Sequence, residues 1–152
     1  MPTQAIPDRY RYAAIAHVMV DGASDAIEFY KVAFGARELF RIADPNGKII
    51  HAEVSIGQSV VMVGDAEQPF QSPKALGGSS VAIHAYVEDV DAFSTKAIGS
   101  GAKEIQPLQD MFYGARQTML EDPYGHIWIF LSHTEDLSPE EIVKRGQELL
   151  NN

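Results

Sequence analysis

The stretch from His17 to Ala36 reads HVMVDGASDAIEFYKVAFGA, and a similar stretch, HAYVEDVDAFSTKAIGSGA, begins at His84. Each stretch predicts the end of a strand, an acidic turn and an amphipathic helix that ends at glycine. The two histidines lie 84 − 17 = 67 positions apart, which is close to half of the 152-residue chain. A repeat of this period indicates two similar supersecondary units that pack together, because neither can close a core alone.

Alternating hydrophobicity and turn residues predict the same order of elements, βαβββ, in both halves. The elements predicted in the first half are Tyr12–Val20, the helix Asp25–Phe34, Arg37–Ala43, Ile49–Ile56 and Ser59–Val63. Those predicted in the second half are Ser80–Val87, the helix Val90–Ile98, Lys103–Gln106, Ala115–Glu121 and His126–Ser132. Ser24 and Ser138 are the expected N-caps of the first helix and of a C-terminal helix.

The predicted fold class is therefore α+β, with two βαβββ modules that form a curved mixed sheet around a cavity. We expect one domain over residues 1–152, with module one at 12–66 and module two at 80–134. A connector at 67–79, rich in proline and glycine, joins the modules, and a helix at 138–150 follows them. Helices on one face of each sheet leave the opposite face free to line the cavity.

Composition excludes several classes of function. The formal net charge of −9 would repel a phosphate backbone, so we expect no nucleic-acid partner. The chain has no cysteine, which is typical of a protein from the reducing cytoplasm and rules out a thiol nucleophile. The first twelve residues lack the apolar core of a signal peptide. No segment approaches the ~20 apolar residues of a membrane-spanning helix, so we expect no membrane partner.

Motifs along nearly the whole chain resemble one family. They are Val20–Ala23 with Ala26–Lys31 and Ala33–Ala36, His51–Glu53, Tyr86–Asp91, Phe112–Gly114 with Arg116, Asp122–His126 with Trp128, His133 and Ser138–Glu141. The chain resembles the vicinal oxygen chelate superfamily of glyoxalase I, bleomycin and fosfomycin resistance proteins and extradiol dioxygenases, and within it the PhnB-like branch. The resemblance implies the glyoxalase/bleomycin-resistance fold, a small-molecule ligand or substrate, and a homodimer.

The resemblance also implies a divalent metal that acts as a Lewis acid on two neighbouring substrate oxygens. The positions that correspond to the family's usual ligands are Ile15, Ala82, Ile129 and either Met62 or Val63. None of these side chains binds a hard or borderline cation. The usual metal site is therefore absent from this sequence.

Two histidines offer a shifted alternative to that site. His17 and His84 each lie two residues beyond a missing ligand, on the same strand face and ~6.5 Å further along the strand. With Glu53 they would form a set of two histidines and one carboxylate, which suits catalytic zinc or non-haem iron. One interpretation is a non-standard site for one divalent metal (Zn, Fe, Mn or Ni). The other is a metal-free pocket in which the same histidines only form hydrogen bonds.

The candidate catalytic residues are Glu53, His51, Tyr113 and Arg116. Glu53 and His51 share the polar face of one strand, where they have acid–base capacity, and Glu53 is expected to pair with Arg116 or His51. Arg116 follows a loop and has the geometry to clamp a carboxylate or phosphate, or else lies on the surface. One hypothesis is a lyase, isomerase or dioxygenase. The alternative is a metal-free protein that binds small molecules or sequesters an antibiotic.

Overall fold

The protein is described by a computed structural model that covers residues 4–11 and 13–152. Its strands are β1 His17–Val20, β2 Arg37–Ala43, β3 Ile49–Ile56, β4 Ser59–Asp65, β5 Ala82–Tyr86, β6 Lys103–Met111, β7 Ala115–Glu121 and β8 Ile127–His133. Its helices are α1 Ala23–Phe34, α2 Pro73–Leu76, α3 Val90–Gly99 and α4 Pro139–Leu150. A 3₁₀ turn, Asp8–Tyr10, precedes β1. Among these described residues, no helix combines the length and the apolar character needed to cross a membrane.

The strands form two mixed four-stranded sheets with the same topology. The first sheet has the order β1-β4-β3-β2 and the second has the order β5-β8-β7-β6. In each sheet the first strand lies parallel to the last, and the other neighbours are antiparallel. The predicted α+β fold with two βαβββ units and a C-terminal helix is confirmed.

The predicted bounds of β2, β3 and β7 agree with the structure at both ends, and in β3 they rest on clean alternation of apolar and polar residues. The first strand is shorter than predicted, because β1 begins at His17, and the predicted start at Tyr12 lies outside the described residues. His17 already pairs with Met62, and only three residues of β4 precede Met62. Little of β4 is therefore left for earlier residues of the chain to pair with.

The start of α1 differs from the prediction. Ser24 does not cap the helix, because the carboxylate of Asp65 at the end of β4 accepts hydrogen bonds from the backbone N–H groups of Gly22 and Ala23. The Ser24 hydroxyl instead accepts a bond from Arg41. A carboxylate at this position also interacts favourably with the helix dipole. The helix end is as predicted, at Gly35 with φ 63°.

The helix-bearing faces of the two sheets share one apolar core. The side chains of Tyr30 and Phe34 on α1 are buried and meet Trp128 and Phe130 of β8. The ring centroids of Phe34 and Phe130 lie 4.8 Å apart, within the range of favourable aromatic pairs. Because both sheets turn these faces towards the shared core, their opposite faces point away from it.

Asp122 connects the two halves through hydrogen bonds. Its buried carboxylate accepts a bond of 2.7 Å from the hydroxyl of Tyr30 and one of 3.0 Å from the indole N–H of Trp128. The same carboxylate accepts from the backbone N–H groups of Tyr124 and His126 in the β7–β8 turn. Burial, with a smaller contribution from Asp122, holds the pKa of Tyr30 well above its ordinary value. The phenol therefore remains a donor.

The C-terminal helix α4 lies on the outside and buries none of its residues. Ser138 caps it as predicted, since its hydroxyl accepts from the N–H of Glu141 at 3.2 Å. Gly146 lets the helix backbone approach the ring of Phe112, because a Cβ at this glycine would lie 3.2 Å from that ring. Arg145 pairs with Glu141 and with the segment that leads into the helix.

Replacing Asp122 by Ala is expected to lower the free energy of unfolding by about 3 kcal/mol, because two buried side-chain donors lose their acceptor. Urea denaturation followed by circular dichroism measures the change. Asp122→Asn keeps one acceptor oxygen and should lose less. The matched control is Asp110→Ala, which removes an exposed ion pair with Arg116 and should change stability by about 0.5 kcal/mol or less. Equal losses in the Asp122→Ala and Asp110→Ala variants would contradict the bridging role of Asp122.

Candidate functional site

The face of the first sheet that points away from the core carries the polar candidates, and we call it the first open face. The register aligns His17 of β1, Met62 of β4, Glu53 of β3 and Phe40 of β2 in one row across the sheet. Residues paired directly across strands place their side chains on the same face. Neighbours on the same face are Met19, Ile42, His51, Ser55 and Val60. The alternation that buries Ala52 and Val54 against α1 therefore aims His51 and Glu53 outwards.

Glu53 is the chemical centre of the first open face. Although it faces away from the core, it is only 2% exposed. The hydroxyl of Tyr10 donates to both of its carboxylate oxygens, at 2.6 and 2.7 Å. Arg9 Nε lies 3.6 Å from one oxygen and His51 Nε2 lies 3.6 Å from the other. The N-terminal arm, residues 4–11, thus covers a carboxylate that would otherwise face solvent.

The arm is organised around this contact. Arg9 places its guanidinium 4.3 Å from the ring centroid of Tyr10, which is a cation–π geometry. The hydrogen bond to Glu53 is the main reason why the pKa of Tyr10 is raised above its ordinary value, with a smaller effect from burial. Tyr10 therefore stays protonated and acts as a donor. None of the residues Asp8–Tyr10 is buried, so the arm adds nothing to the apolar core.

Two imidazoles meet beside Glu53. The ring centroids of His17 and His51 lie 5.4 Å apart in an edge-to-face arrangement. Gly64 of β4 lies beneath the His17 ring, and a Cβ there would be 3.5 Å from His17 Nε2. The absence of a side chain at Gly64 gives the two rings room to approach each other. Burial, and to a lesser degree the charge of His51, lowers the pKa of His17.

Pockets lie on both sides of this polar group. One of about 510 Å³ is lined by Phe40, Ser55 and Val60 of the first open face, with Arg9 from the arm and Arg37. Another, of about 320 Å³, is lined by His17, Met19, Phe70, Leu76 and His126, among others. Glu53, His51 and His17 therefore form a polar strip between two partly apolar recesses, a usual arrangement for recognition of small organic molecules.

The corresponding face of the second sheet, which we call the second open face, is mainly apolar. Its equivalent row is His84 of β5, Ile129 of β8, Met119 of β7 and Gln106 of β6. Ala115, Ile129 and Leu131 are buried and form a small cluster with Met119 and Tyr113. Register therefore matches His84 with His17, but it matches the carboxylate of Glu53 with the thioether of Met119.

Tyr113 lies on the second open face, where its hydroxyl donates to the side-chain carbonyl of Gln117. Burial, and to a lesser degree the neighbouring Tyr86, raises the pKa of Tyr113. At neutral pH the phenol is therefore a donor. Tyr113 belongs to the opposite sheet from Glu53 and His51, so the predicted catalytic residues are divided between the two faces.

Arg116 does not join the other candidates. In β7 the side chains of Ala115 and Gln117 point to the second open face, and Arg116 points to the helix side. Its guanidinium donates two bonds, of 2.8 and 2.9 Å, to the carboxylate of Asp91 on α3. A further ion pair of 3.2 Å joins it to Asp110. The expected pairing of Glu53 with Arg116 is therefore wrong, and the pairing with His51 is the one observed.

The shifted metal set His17, His84 and Glu53 is not assembled within one chain. His17 and Glu53 share the first open face, whereas His84 belongs to the second sheet. Over residues 4–11 and 13–152, no three or more His, Asp or Glu side chains come close enough together to hold a metal ion. The residues of a single chain therefore do not fit the expected metal.

Sequence reasoning missed the residues of the arm, above all Tyr10 and Arg9. Tyr10 contacts Glu53 across 43 positions, and no periodicity links the two segments. The available signal was compositional, because the run DRYRY after Pro7 places donors and aromatic rings a few residues before the first strand. Gly64 was also missed, and its role becomes visible only once the strand register is known.

The fold is that of a protein built from two similar βαβββ modules. The modules share one core on their helix-bearing faces, and the other face of each sheet points outwards. The chain belongs to the glyoxalase/bleomycin resistance protein/dioxygenase superfamily, whose family profile matches residues 12–130. This membership confirms the resemblance to the superfamily found in the sequence.

Several known proteins are similar to this chain. An uncharacterised protein of Mycobacterium bovis is 38% identical over 131 residues, which cover 83% of this chain and 86% of that protein. The crystal structure of TioX from Micromonospora sp. ML1 is 29% identical, with a TM-score of 0.64, and the match covers 83% of this chain and 99% of that one. A putative 3-demethylubiquinone-9 3-methyltransferase, PhnB protein, from Bacillus cereus has a TM-score of 0.60 at 17% identity, over 78% of this chain and 98% of that one. At that identity the likeness shows the fold alone.

The imidazole of His17 is expected to titrate below its ordinary pKa of about 6.5, measurable by NMR on protein kept in EDTA. Replacing His51 by Gln removes the neighbouring charge, so the pKa of His17 should rise, although burial keeps it below the ordinary value. Because the unfolded chain binds this proton more readily than the folded chain, the free energy of unfolding should fall as pH falls through about 6.5.

Asp136→Ala is the matched control, because it removes an exposed pair with His133 away from the first open face and should leave the pKa of His17 unchanged. An unchanged pKa of His17 in the His51→Gln variant would contradict the pairing of the two imidazoles.

Proposed function

We propose that this protein binds a small organic molecule on the first open face without a metal, and that Glu53 is the group that recognises it. The observation that carries this proposal is the placement of a 2% exposed carboxylate on a sheet face that packs against no other part of the core. Tyr10, Arg9 and His51 satisfy that carboxylate in place of core residues. The proposal corresponds to the metal-free alternative. We also propose that the chain belongs to the PhnB-like branch, which the motifs shared along nearly the whole sequence support.

The surroundings of Glu53 support binding of a mixed polar and apolar ligand. The carboxylate is an acceptor for O–H or N–H donors, and His51 beside it can hold or release a proton. Met62 and Phe40, its register neighbours, offer apolar contacts on either side. A ligand with one donor group and an aromatic or aliphatic body fits this combination.

We further propose that two copies of the chain associate so that the first open face of one copy faces the second open face of the other. The support is that both faces point away from the shared core and carry apolar side chains in contact with solvent. Ile42 is 54% exposed on the first face, and Tyr86 is 65% exposed on the second. β1 and β5 each end their sheets, so each has an outer edge at which another strand can pair. A homodimer would enclose Glu53 between two walls.

A metal-dependent lyase, isomerase or dioxygenase is the second candidate. One observation favours it, namely that His17 and His84 occupy equivalent register positions in the two sheets. In the proposed dimer, His84 of one copy would approach His17 and Glu53 of the other. Elemental analysis of the purified protein tests this candidate. Near-stoichiometric Zn, Fe, Mn or Ni that is lost in both His17→Ala and His84→Ala would support it, and metal retained in either variant would contradict it.

A thermal-shift screen of small organic compounds tests the metal-free proposal. Compounds that raise the melting temperature of the wild-type protein should bind the Glu53→Gln variant about tenfold or more weakly, because a neutral amide loses the charge-assisted bond. Isothermal titration calorimetry with and without EDTA gives the affinities, which should not depend on the chelator.

Glu67→Gln is the matched control. Glu67 is a largely exposed glutamate that pairs with Lys48 outside the first open face, so this variant should bind like the wild type. Hits that bind Glu53→Gln as tightly as the wild type, or that bind only when a metal is present, would refute the proposal.

A further inference from the structure

We infer that Glu53 is a receptor for a phenolic hydroxyl, and that the N-terminal arm acts as an internal competitor whose Tyr10 holds this position until a phenolic ligand replaces it. The inference rests on the proposed function and deepens it, because it names the class of ligand and the contact that the ligand must displace.

The first step is the geometry of the contact between Tyr10 and Glu53. The phenolic oxygen lies 2.6 and 2.7 Å from the two carboxylate oxygens, so it sits between them and donates to both. The residues are 43 positions apart, and the contact therefore depends on tertiary structure rather than on local chain geometry. The contact therefore shows that a phenolic hydroxyl fits the carboxylate of Glu53 as a donor.

The second step is that the arm is weakly held. No residue of the turn Asp8–Tyr10 is buried, and the polar contacts of Tyr10 and Arg9 with Glu53 are its main attachment to β3. Segments that bury little apolar surface open at a small cost in free energy. A free phenol that reaches the same carboxylate can therefore displace the arm without disturbing the core.

The third step is the space for the rest of the ligand. The pocket of about 510 Å³ beside Glu53 is lined by its register partner Phe40, by Ser55 on the same strand, and by Val60. Arg9 also lines this pocket, so movement of the arm would enlarge it. A substituted phenol can place its ring against Phe40 while its hydroxyl points to Glu53.

The fourth step is the kind of hydroxyl group that the ligand carries, which is argued from the acidity of phenols and alcohols. A phenol, with a pKa of about 10, is a stronger donor to a carboxylate than an aliphatic alcohol and remains neutral at pH 7. An ammonium group is the main competitor in this chemistry, since Arg9 already brings a cation to 3.6 Å from Glu53. The hydroxyl of Tyr10 nevertheless lies closer to Glu53 than the guanidinium of Arg9 does, and it contacts both carboxylate oxygens. This difference favours a phenol over an ammonium group as the ligand's donor.

The test compares p-cresol, benzylamine and toluene by isothermal titration calorimetry on the wild type and on Tyr10→Phe. The Tyr10→Phe change keeps an aromatic ring in the arm but removes the hydrogen bond that holds the arm over Glu53, so p-cresol should bind this variant about tenfold more tightly than the wild type, as expected when a competing state is weakened. Toluene should show no gain. Tyr124→Phe is the matched control, because it removes a phenol of the module junction and should leave p-cresol binding unchanged.

Limited trypsin digestion of the wild type gives a second readout that does not depend on any variant. Saturation with p-cresol should release the arm and speed cleavage after Arg9 and Arg11 several-fold, since cleavage follows the population of the open segment. Toluene at the same concentration should have no effect on the rate.

The outcomes separate this inference from the proposed function. Equal or weaker p-cresol binding in Tyr10→Phe, an equal gain for benzylamine, or an unchanged cleavage rate would each overturn the inference. If other compounds still bind in a Glu53-dependent manner in that case, the proposed function stands without it. Loss of p-cresol binding in Glu53→Gln, together with tighter binding in Tyr10→Phe, is the result that supports both.

Discussion

The hydrogen bonds of Asp122 fix how the two halves of this chain face each other. The carboxylate joins α1 of the first module to β8 of the second through Tyr30 and Trp128, within a core of stacked aromatic rings. Buried polar groups are costly unless satisfied, so this connection is specific as well as stabilising. Because it holds the helix-bearing faces together, it also determines that the polar strip on the first sheet faces outwards.

Much of the fold follows from the sequence, because it depends on short-range periodicity. Alternation in β3 places His51 and Glu53 opposite Ala52 and Val54, and the structure shows that arrangement. The same rule applied to β7 would have placed Arg116 on the helix side, since it alternates with Ala115 and Gln117. Asp91, the partner of Arg116, lies 25 positions away, and no local sequence pattern predicts this pair.

The parts that sequence reasoning did not reach depend on long-range contacts. Asp65 binds the backbone N–H of Ala23 from 42 positions away, in place of the expected cap Ser24, and Tyr10 reaches Glu53 from 43 positions away. The repeat correctly predicts that His17 and His84 are equivalent positions. It cannot predict the relative orientation of the two sheets, which depends on packing of the aromatic core between them.

Register equivalence shows that the two modules have diverged in chemistry while keeping their geometry. The first sheet has Glu53 and Gly64 where the second has Met119 and Leu131. The open face of one half thus carries a carboxylate, and the open face of the other is mainly apolar in the same frame. A duplicated gene with such a division can change the shape of the proposed ligand site through mutations in the mainly apolar half, while the acid in the other half is preserved.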